Sequence, residues 1–310
     1  MPEPSNSIAL RACLIVLLLN AVVGREINAE DEATSLKAIQ AKASDGDPTA
    51  QFTLGLMHYN GDGVPASDTE AMKWFRVSAE KGNASAQRCL GYLYDIGAGV
   101  PENHAEAVKW YRKAATQNEA KAQNYLGVIY ANGKGVPRND AEALKWFRKA
   151  AEQGDASAQS NLAVIYANGT GVPKNDAESL KWFRKAAEQG DAKAQFNLGV
   201  IYANGTGIPQ NEAEALKWYL KASNQGHTIS QWFASGAYIF GMGVPKNYVE
   251  GYAWLSVAIA SGFKEENNMI SKLTYYMTLE QVAAAQKRAA QLFDQINANK
   301  KKNKKWKLTP

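Results

Sequence analysis

Residues 120–155 read AKAQNYLGVIYANGKGVPRNDAEALKWFRKAAEQGD, and the pattern recurs at a fixed interval along the chain. Trp74, Trp110, Trp146, Trp182, Trp218 and Trp254 stand 36 residues apart. The same interval separates Pro65, Pro101, Pro137, Pro173, Pro209 and Pro245, and also Gly63, Gly99, Gly135, Gly171, Gly207 and Gly243. Six units follow one another without an insertion or deletion. A period of this length marks a stacked-repeat architecture, in which no unit buries its apolar face alone and stability comes from its neighbours.

Each unit predicts two helices. The first opens after Gly-Asp pairs such as Gly154-Asp155 and Gly190-Asp191, the aspartate placed to accept from free backbone N–H groups. In the fourth unit Ala158, Leu162, Ile165 and Tyr166 lie at helical spacing. The tyrosine recurs as Tyr94, Tyr130, Tyr202 and Tyr238, with His58 in the first unit. Asn168-Gly169-Thr170-Gly171-Val172-Pro173 then stops the helix, because glycine permits a left-handed exit and proline cannot continue a helix. A capping box opens the second helix in every unit, pairing Ser67 with Glu70, Asn103 with Glu106 and Asn139 with Glu142. Asn175 with Glu178, Asn211 with Glu214 and Asn247 with Glu250 complete the set. Ala143, Trp146, Phe147, Ala150 and Ala151 form the packing face of the second helix, with the tryptophan expected to fill the space between helices.

Ala122, Leu126, Gly127, Tyr130, Gly133, Gly135, Val136, Asp140, Ala143, Trp146, Phe147, Ala150, Ala151 and Gly154 together resemble the Sel1-like repeat. The resemblance implies an all-α fold, an α-solenoid of helix-turn-helix repeats similar to tetratricopeptide arrays, with the first helices lining a concave face. The last unit departs from the pattern, with Ala234 in place of leucine and Gly251 in place of alanine, as befits a terminal unit. Five segments are expected: an export signal or anchor over 1–24, a capping helix over 25–45, six repeats over 46–262, capping helices over 263–298 and a basic, disordered tail over 299–310.

The export segment rests on Ala12 to Gly24, an uncharged apolar run preceded by Arg11. It is short of the about 20 residues that span a bilayer and suits the apolar core of a signal peptide. The formal charge of +5 is concentrated in the tail, where Lys300, Lys301, Lys302, Lys304, Lys305 and Lys307 supply six positives, leaving 5 − 6 = −1 elsewhere. Of the two cysteines, Cys13 lies in the apolar run, so Cys89 is alone after processing and is expected to act as a small buried hydrophobe. At the C-terminal end, Glu265 to Tyr275 predicts one helix. Thr278 and Gln281 cap another, whose Val282, Ala285, Ala289, Leu292, Phe293 and Ile296 trace an apolar stripe.

No constellation of nucleophile, base and oxyanion donor is visible, and no catalytic residue, cofactor or metal is expected. The recurring carboxylates are explained by capping. His58, His104 and His227 occupy three different repeat positions without the spacing of a metal site. The candidate partner-binding residues are those the fold does not fix. Tyr125, Asn161 and Asn197 share one position on the first helix, a turn from Lys121, Ser157 and Lys193. Asn132, Asn168 and Asn204 form a second ladder at the helix exit. Asparagine amides in such a row suit the backbone of an extended peptide, although Asn at a helix exit also serves simple termination. Lys301, Lys302, Lys304, Lys305 and Trp306 are candidates for contact with anionic lipid, the alternative being a solvated tail.

The resemblance implies a non-enzymatic scaffold or adaptor, binding protein or peptide in the periplasm or outside the cell, with no nucleic acid or metal as partner. Two alternatives follow from other branches of the family. One is a β-lactamase-like hydrolase, but those members staple each repeat with a cysteine pair that this sequence lacks. The other is a eukaryotic adaptor of the endoplasmic-reticulum lumen, for which Asn83-Ala84-Ser85, Asn168-Gly169-Thr170 and Asn204-Gly205-Thr206 supply glycosylation sequons.

Overall fold

The computed structural model describes residues 29–264 and 268–306, with side chains from 35 to 264 and from 268 to 300. The expected export segment, 1–24, lies outside the described residues. Fifteen helices and no strand are found among those described. They divide into two compact units, one ending at Gly154 and one running from Asp155 to Lys302.

The first unit opens with α1 (Ala29–Ser44) and continues with three helix pairs. These are α2 (Pro48–Asn60) with α3 (Asp68–Glu80), α4 (Ala84–Ile96) with α5 (His104–Thr116), and α6 (Ala120–Asn132) with α7 (Asp140–Glu152). The second unit pairs α8 (Ala156–Asn168) with α9 (Asp176–Glu188), α10 (Ala192–Asn204) with α11 (Glu212–Asn224), and α12 (Thr228–Phe240) with α13 (Tyr248–Ala260). It closes with α14 (Met269–Thr274) and α15 (Leu279–Trp306). The even-numbered helices from α2 to α12 are thus the first helices of the repeats. Within each unit every first helix packs on its own second helix, and that helix packs on the next first helix.

The second helices start as the spacing predicts, but by half of the capping box. Ser67 and the asparagines Asn103, Asn139, Asn175, Asn211 and Asn247 accept from the backbone N–H three residues on, at 3.0–3.2 Å. The glutamate does not reach back. Glu70, Glu106, Glu142, Glu178 and Glu214 instead accept from the lysine three residues later, and Glu250 accepts from Arg288 of α15. The cap residue's own N–H donates to the carbonyl nine residues back, as Asn139 does to Tyr130 and Asn211 to Tyr202, both at 2.8 Å. That bond closes the loop between the two helices and leaves the glutamate free for its lysine.

The tryptophan row follows the expectation at two of its six positions, Trp182 and Trp254. Phe75, Tyr111, Phe147, Phe183 and Tyr219, one position later, are the buried aromatics, whereas Trp74, Trp110, Trp146 and Trp218 are half-buried. The reason is a close approach. A Cβ on Gly127 would lie 2.5 Å from Phe147, and one on Gly199 would lie 2.6 Å from Tyr219. At these positions the glycine seats the Phe or Tyr ring and the tryptophan is left half-buried at the rim, whereas Trp182 and Trp254, in the repeats with Ala163 and Ser235 at the glycine's position, are buried. There Lys113 Nζ sits 3.9 Å from the Trp110 ring centre and Lys221 Nζ 3.8 Å from that of Trp218.

Within each unit a buried glutamine row joins consecutive repeats. Gln51, Gln87, Gln123, Gln159, Gln195 and Gln231 keep the 36-residue interval and are at most 5% exposed. In the first unit the Nε2 atoms of Gln51, Gln87 and Gln123 donate to Ala43, Ala79 and Ala115 O at 3.0–3.1 Å, each in the last turn of the preceding helix. In the second unit Gln195 donates to Ala187 O and Gln231 to Ser223 O. The Oε1 atom accepts from a glutamine at the end of the repeat's own second helix: Gln117 to Gln87, Gln153 to Gln123, Gln189 to Gln159 and Gln225 to Gln195, at 2.7–2.8 Å.

In the second unit α15 covers the last repeat. Leu292 and Ile296 enter a core with Ala215, Tyr219 and Trp254, while Ala285 packs with Tyr252 and Leu273. Phe293 falls off this stripe and is 39% exposed. The helix expected over Glu265 to Tyr275 is shorter, and residues 265–267 lie outside the described residues. The lysine run expected to be disordered continues α15 as helix to Trp306. Lysine is a good helix former, and cations favour the C-terminal end of the helix dipole. The side chains of Lys301, Lys302, Lys304, Lys305 and Trp306 lie outside those described, as does Lys307.

Where the second glutamine is replaced, by Lys81 in the first repeat and Ser261 in the last, Gln51 Oε1 and Gln231 Oε1 are buried without a hydrogen-bond donor. Supplying the donor with Ser261→Gln is therefore expected to stabilise the protein by about 1 kcal/mol, read as a higher urea midpoint at unchanged m value.

Candidate functional site

The positions one turn apart on the outer side of the first helices differ from repeat to repeat, unlike the packing positions beneath them. In the first unit they are occupied by groups that engage one another. The Tyr125 ring stacks 5.0 Å from Tyr111 and lies 6.3 Å from Tyr92. Arg88 Nε donates to Glu119 Oε1 at 3.0 Å, both side chains being 16% exposed. Glu119 also caps α6 by accepting from the Ala122 N–H, so both of its oxygens are used. Burial pushes the Cys89 thiol and the Tyr125 phenol up, so both stay protonated and Cys89 packs as an inert side chain on the core.

In the second unit the equivalent residues are polar and then apolar. Asn161 and Asn197 are half-buried, and Asn197 Nδ2 donates to Lys193 O at 3.0 Å. One repeat further the position holds Phe233, which packs edge-on to Phe196 at 5.4 Å. Trp232 stacks on Phe263 at 5.6 Å and meets Phe233 edge-on. Asn132, Asn168 and Asn204 close α6, α8 and α10 with exposed side chains. The left-handed exit is taken by the glycines that follow them, Gly133, Gly169 and Gly205, at φ 72°, 70° and 68°. Backbone geometry at the exit therefore does not require these asparagines.

The three histidines are apart. His104 Nδ1 and Nε2 lie 2.8 Å from Asp95 Oδ1 and Glu102 Oε1. His227 replaces the aspartate or asparagine that caps most other first helices: its Nδ1 accepts from the Ser230 N–H at 3.3 Å and lies 2.8 Å from Ser230 Oγ. Among the described residues no group of three His, Cys, Asp or Glu side chains could hold a metal ion. Among the same residues no helix is long and apolar enough to cross a membrane.

The periodic glycine, tryptophan and proline and the paired helices recur through six units, and a Phe or Tyr ring is seated on glycine in four of them. The profile described as Sel1 repeat matches residues 48–83, 84–119, 120–155, 156–191, 192–227 and 229–263. The chain belongs to the Sel1 repeat family. It is similar to c5321, a protective antigen of uropathogenic Escherichia coli strains with an SLR fold, at 32% identity and a TM-score of 0.78. That match covers 90% of this chain and 60% of the antigen, so the chain spans less than two thirds of that protein. A Sel1 repeat protein from Oxalobacter formigenes is 35% identical, with a TM-score of 0.69, over 78% of this chain and 94% of the other. No curated protein matches. The Sel1 repeat fold is typical of protein–protein interaction scaffolds.

Sequence reasoning missed the glutamine row, although its 36-residue interval was visible. It also missed the Arg88–Glu119 pair and the Trp232, Phe233 and Phe196 cluster, which depart from the repeat pattern and depend on which helix faces which. His227 gives this region a pH dependence. Burial, and then Lys193, hold its imidazole below the ordinary 6.5, with Asp191 opposing. The neutral ring has the acceptor that the helix start needs, and Phe196 lies against it at 5.2 Å. The fold thus binds fewer protons than the unfolded chain, so the contribution is complete above pH 6.5 and lost as pH falls through the lower folded value. His227→Asp is expected to remove this loss, measured as urea midpoints between about pH 7 and pH 5.

Proposed function

We propose that this chain is a non-enzymatic scaffold, exported to the periplasm or beyond the cell, that binds an extended protein segment along the first-helix face. The observation that carries the reading is the contrast between helix types in the second unit. The second helix α9 carries six charged side chains, whereas the neighbouring first helices α8 and α10 carry one between them, Lys193. A surface depleted in charge, bearing amides and half-buried aromatic rings, has the composition of an interface centre. Asn161 and Asn197 offer amides that donate to and accept from a peptide backbone, and successive repeats offer successive contacts. Export rests on the apolar run from Ala12 to Gly24. The lysines after Asn299 add a cationic end that suits anionic lipid.

The test is a pull-down from cell-envelope extract with the chain, with Asn161→Ala/Asn197→Ala, and with a chain ending at Asn299. Proteins retained by the chain and by the shortened form, but reduced about tenfold on the double substitution, support binding along this face. Equal capture by the double variant contradicts it. Ligands lost only with the shortened form assign docking to the basic end.

A further inference from the structure

Gly236 sits in the middle of α12, where glycine is less favourable than alanine. The other mid-helix glycines have a packing reason, as at Gly127 and Gly199, where an added Cβ would strike a ring. Gly236 has none: the nearest heavy atom to a Cβ built there is Met242 Cε, at 3.9 Å. The corresponding residues in the other five repeats are Leu56, Tyr92, Val128, Val164 and Val200. The glycine therefore opens a notch on the outer face of α12, one helical turn beyond Trp232 and Phe233. Those rings are held by Phe263 and Phe196, and Ile229 at the start of the same face is 49% exposed. The 13-residue helix α12 carries no charged side chain, and exposed Lys193 of α10 is close enough to act on His227 at its start, as Asp191 does with the opposite sign.

We infer that the face formed by α10 and α12 seats a large apolar side chain of a partner peptide in the notch at Gly236, while an acidic residue of that peptide meets Lys193. The inference rests on the first-helix face being the binding surface and specifies where on it the partner sits. Lys193 stands at the repeat position of Ile229, seven residues before that of Gly236. Seven helical residues rise about 10 Å, and neighbouring helices lie about 10 Å apart, so the two points are about 14 Å apart, which an extended peptide covers in about four residues. The recognised segment is thus an aromatic or large aliphatic residue and a carboxylate about four positions apart. A bare backbone at the notch lets the apolar group reach the Trp232 and Phe233 rings, while the peptide's carboxylate pairs with exposed Lys193 at the solvated rim.

The experiment pans a displayed library of roughly twelve-residue random peptides over the full chain, then measures binding of the enriched synthetic peptides to variants. Enriched peptides are expected to share the spaced apolar and acidic pair. Gly236→Ala is expected to raise Tm by about 2 °C while weakening the peptide about tenfold or more. Lys193→Glu is expected to weaken the acidic peptide and to be rescued when the peptide's carboxylate is replaced by lysine. No enrichment, binding to Gly236→Ala within about twofold of the parent, or a fall in Tm alongside lost binding would each overturn the inference. Peptides lost on Asn161→Ala/Asn197→Ala but retained by Gly236→Ala reject the notch and leave the wider groove reading standing.

Discussion

At Gln87, Gln123 and Gln195 one buried amide side chain ties three helices together. In the second unit Gln195 on α10 donates to the Ala187 carbonyl at the end of α9 and accepts from Gln225 at the end of α11. The last carbonyls of a helix have no partner within it, and burying them unpaired is costly. A glutamine has one donor group and one acceptor, enough to satisfy a carbonyl of the preceding repeat while accepting a hydrogen bond from its own. The relative register of neighbouring helices is thereby set by hydrogen-bond direction as well as by apolar contact. The same donation joins α1 to the first repeat, through Gln51 and Ala43, so the capping helix stands where a preceding second helix would.

Around this junction the other repeat positions have assigned physical tasks. Asparagine caps the second helix, its N–H closes the loop, glycine makes room for a buried ring, and a second glycine turns the helix exit. What remains unassigned is the outer side of the first helices, and there the repeats stop resembling one another. The first unit fills it with a partly buried ion pair and stacked tyrosines; the second places amides beside an aromatic cluster. Two of the residues that break the pattern, His227 where other repeats have a capping aspartate and Gly236 where the neighbouring repeats have valine, fall near that cluster. Departures from local rules without a packing return are where function is expected to reside.

The fold was legible because its signals are local and repeated: the proline, the Gly-x-Gly exit and the Asn cap each fix a boundary wherever they occur. The rim position of Trp146 was less legible, because Trp146 and Phe147, about 100° apart around the helix, both border its apolar stripe. Only the approach of Gly127 decides which ring goes under. The half-used capping box has a similar origin, since Glu142 can reach either the cap N–H or Lys145, and the Tyr130 carbonyl takes the N–H first. The candidate site was legible in part. Asn161 and Asn197 do lie on the charge-poor face, but Tyr125 is engaged by Tyr111 and Tyr92, rings from two other helices. The cluster of Phe196, Trp232 and Phe233 is long-range in sequence and has no repeat signature.

The glutamine junction is tested most directly by a double-mutant cycle on Gln195 and Gln225, using leucine at each position and urea unfolding of the full chain. A coupling of about 1 kcal/mol or more between the two changes is the expected result for a buried, cooperative amide pair. Additive losses, with coupling below about 0.3 kcal/mol, would contradict the account and leave apolar packing alone to set the register of the repeats.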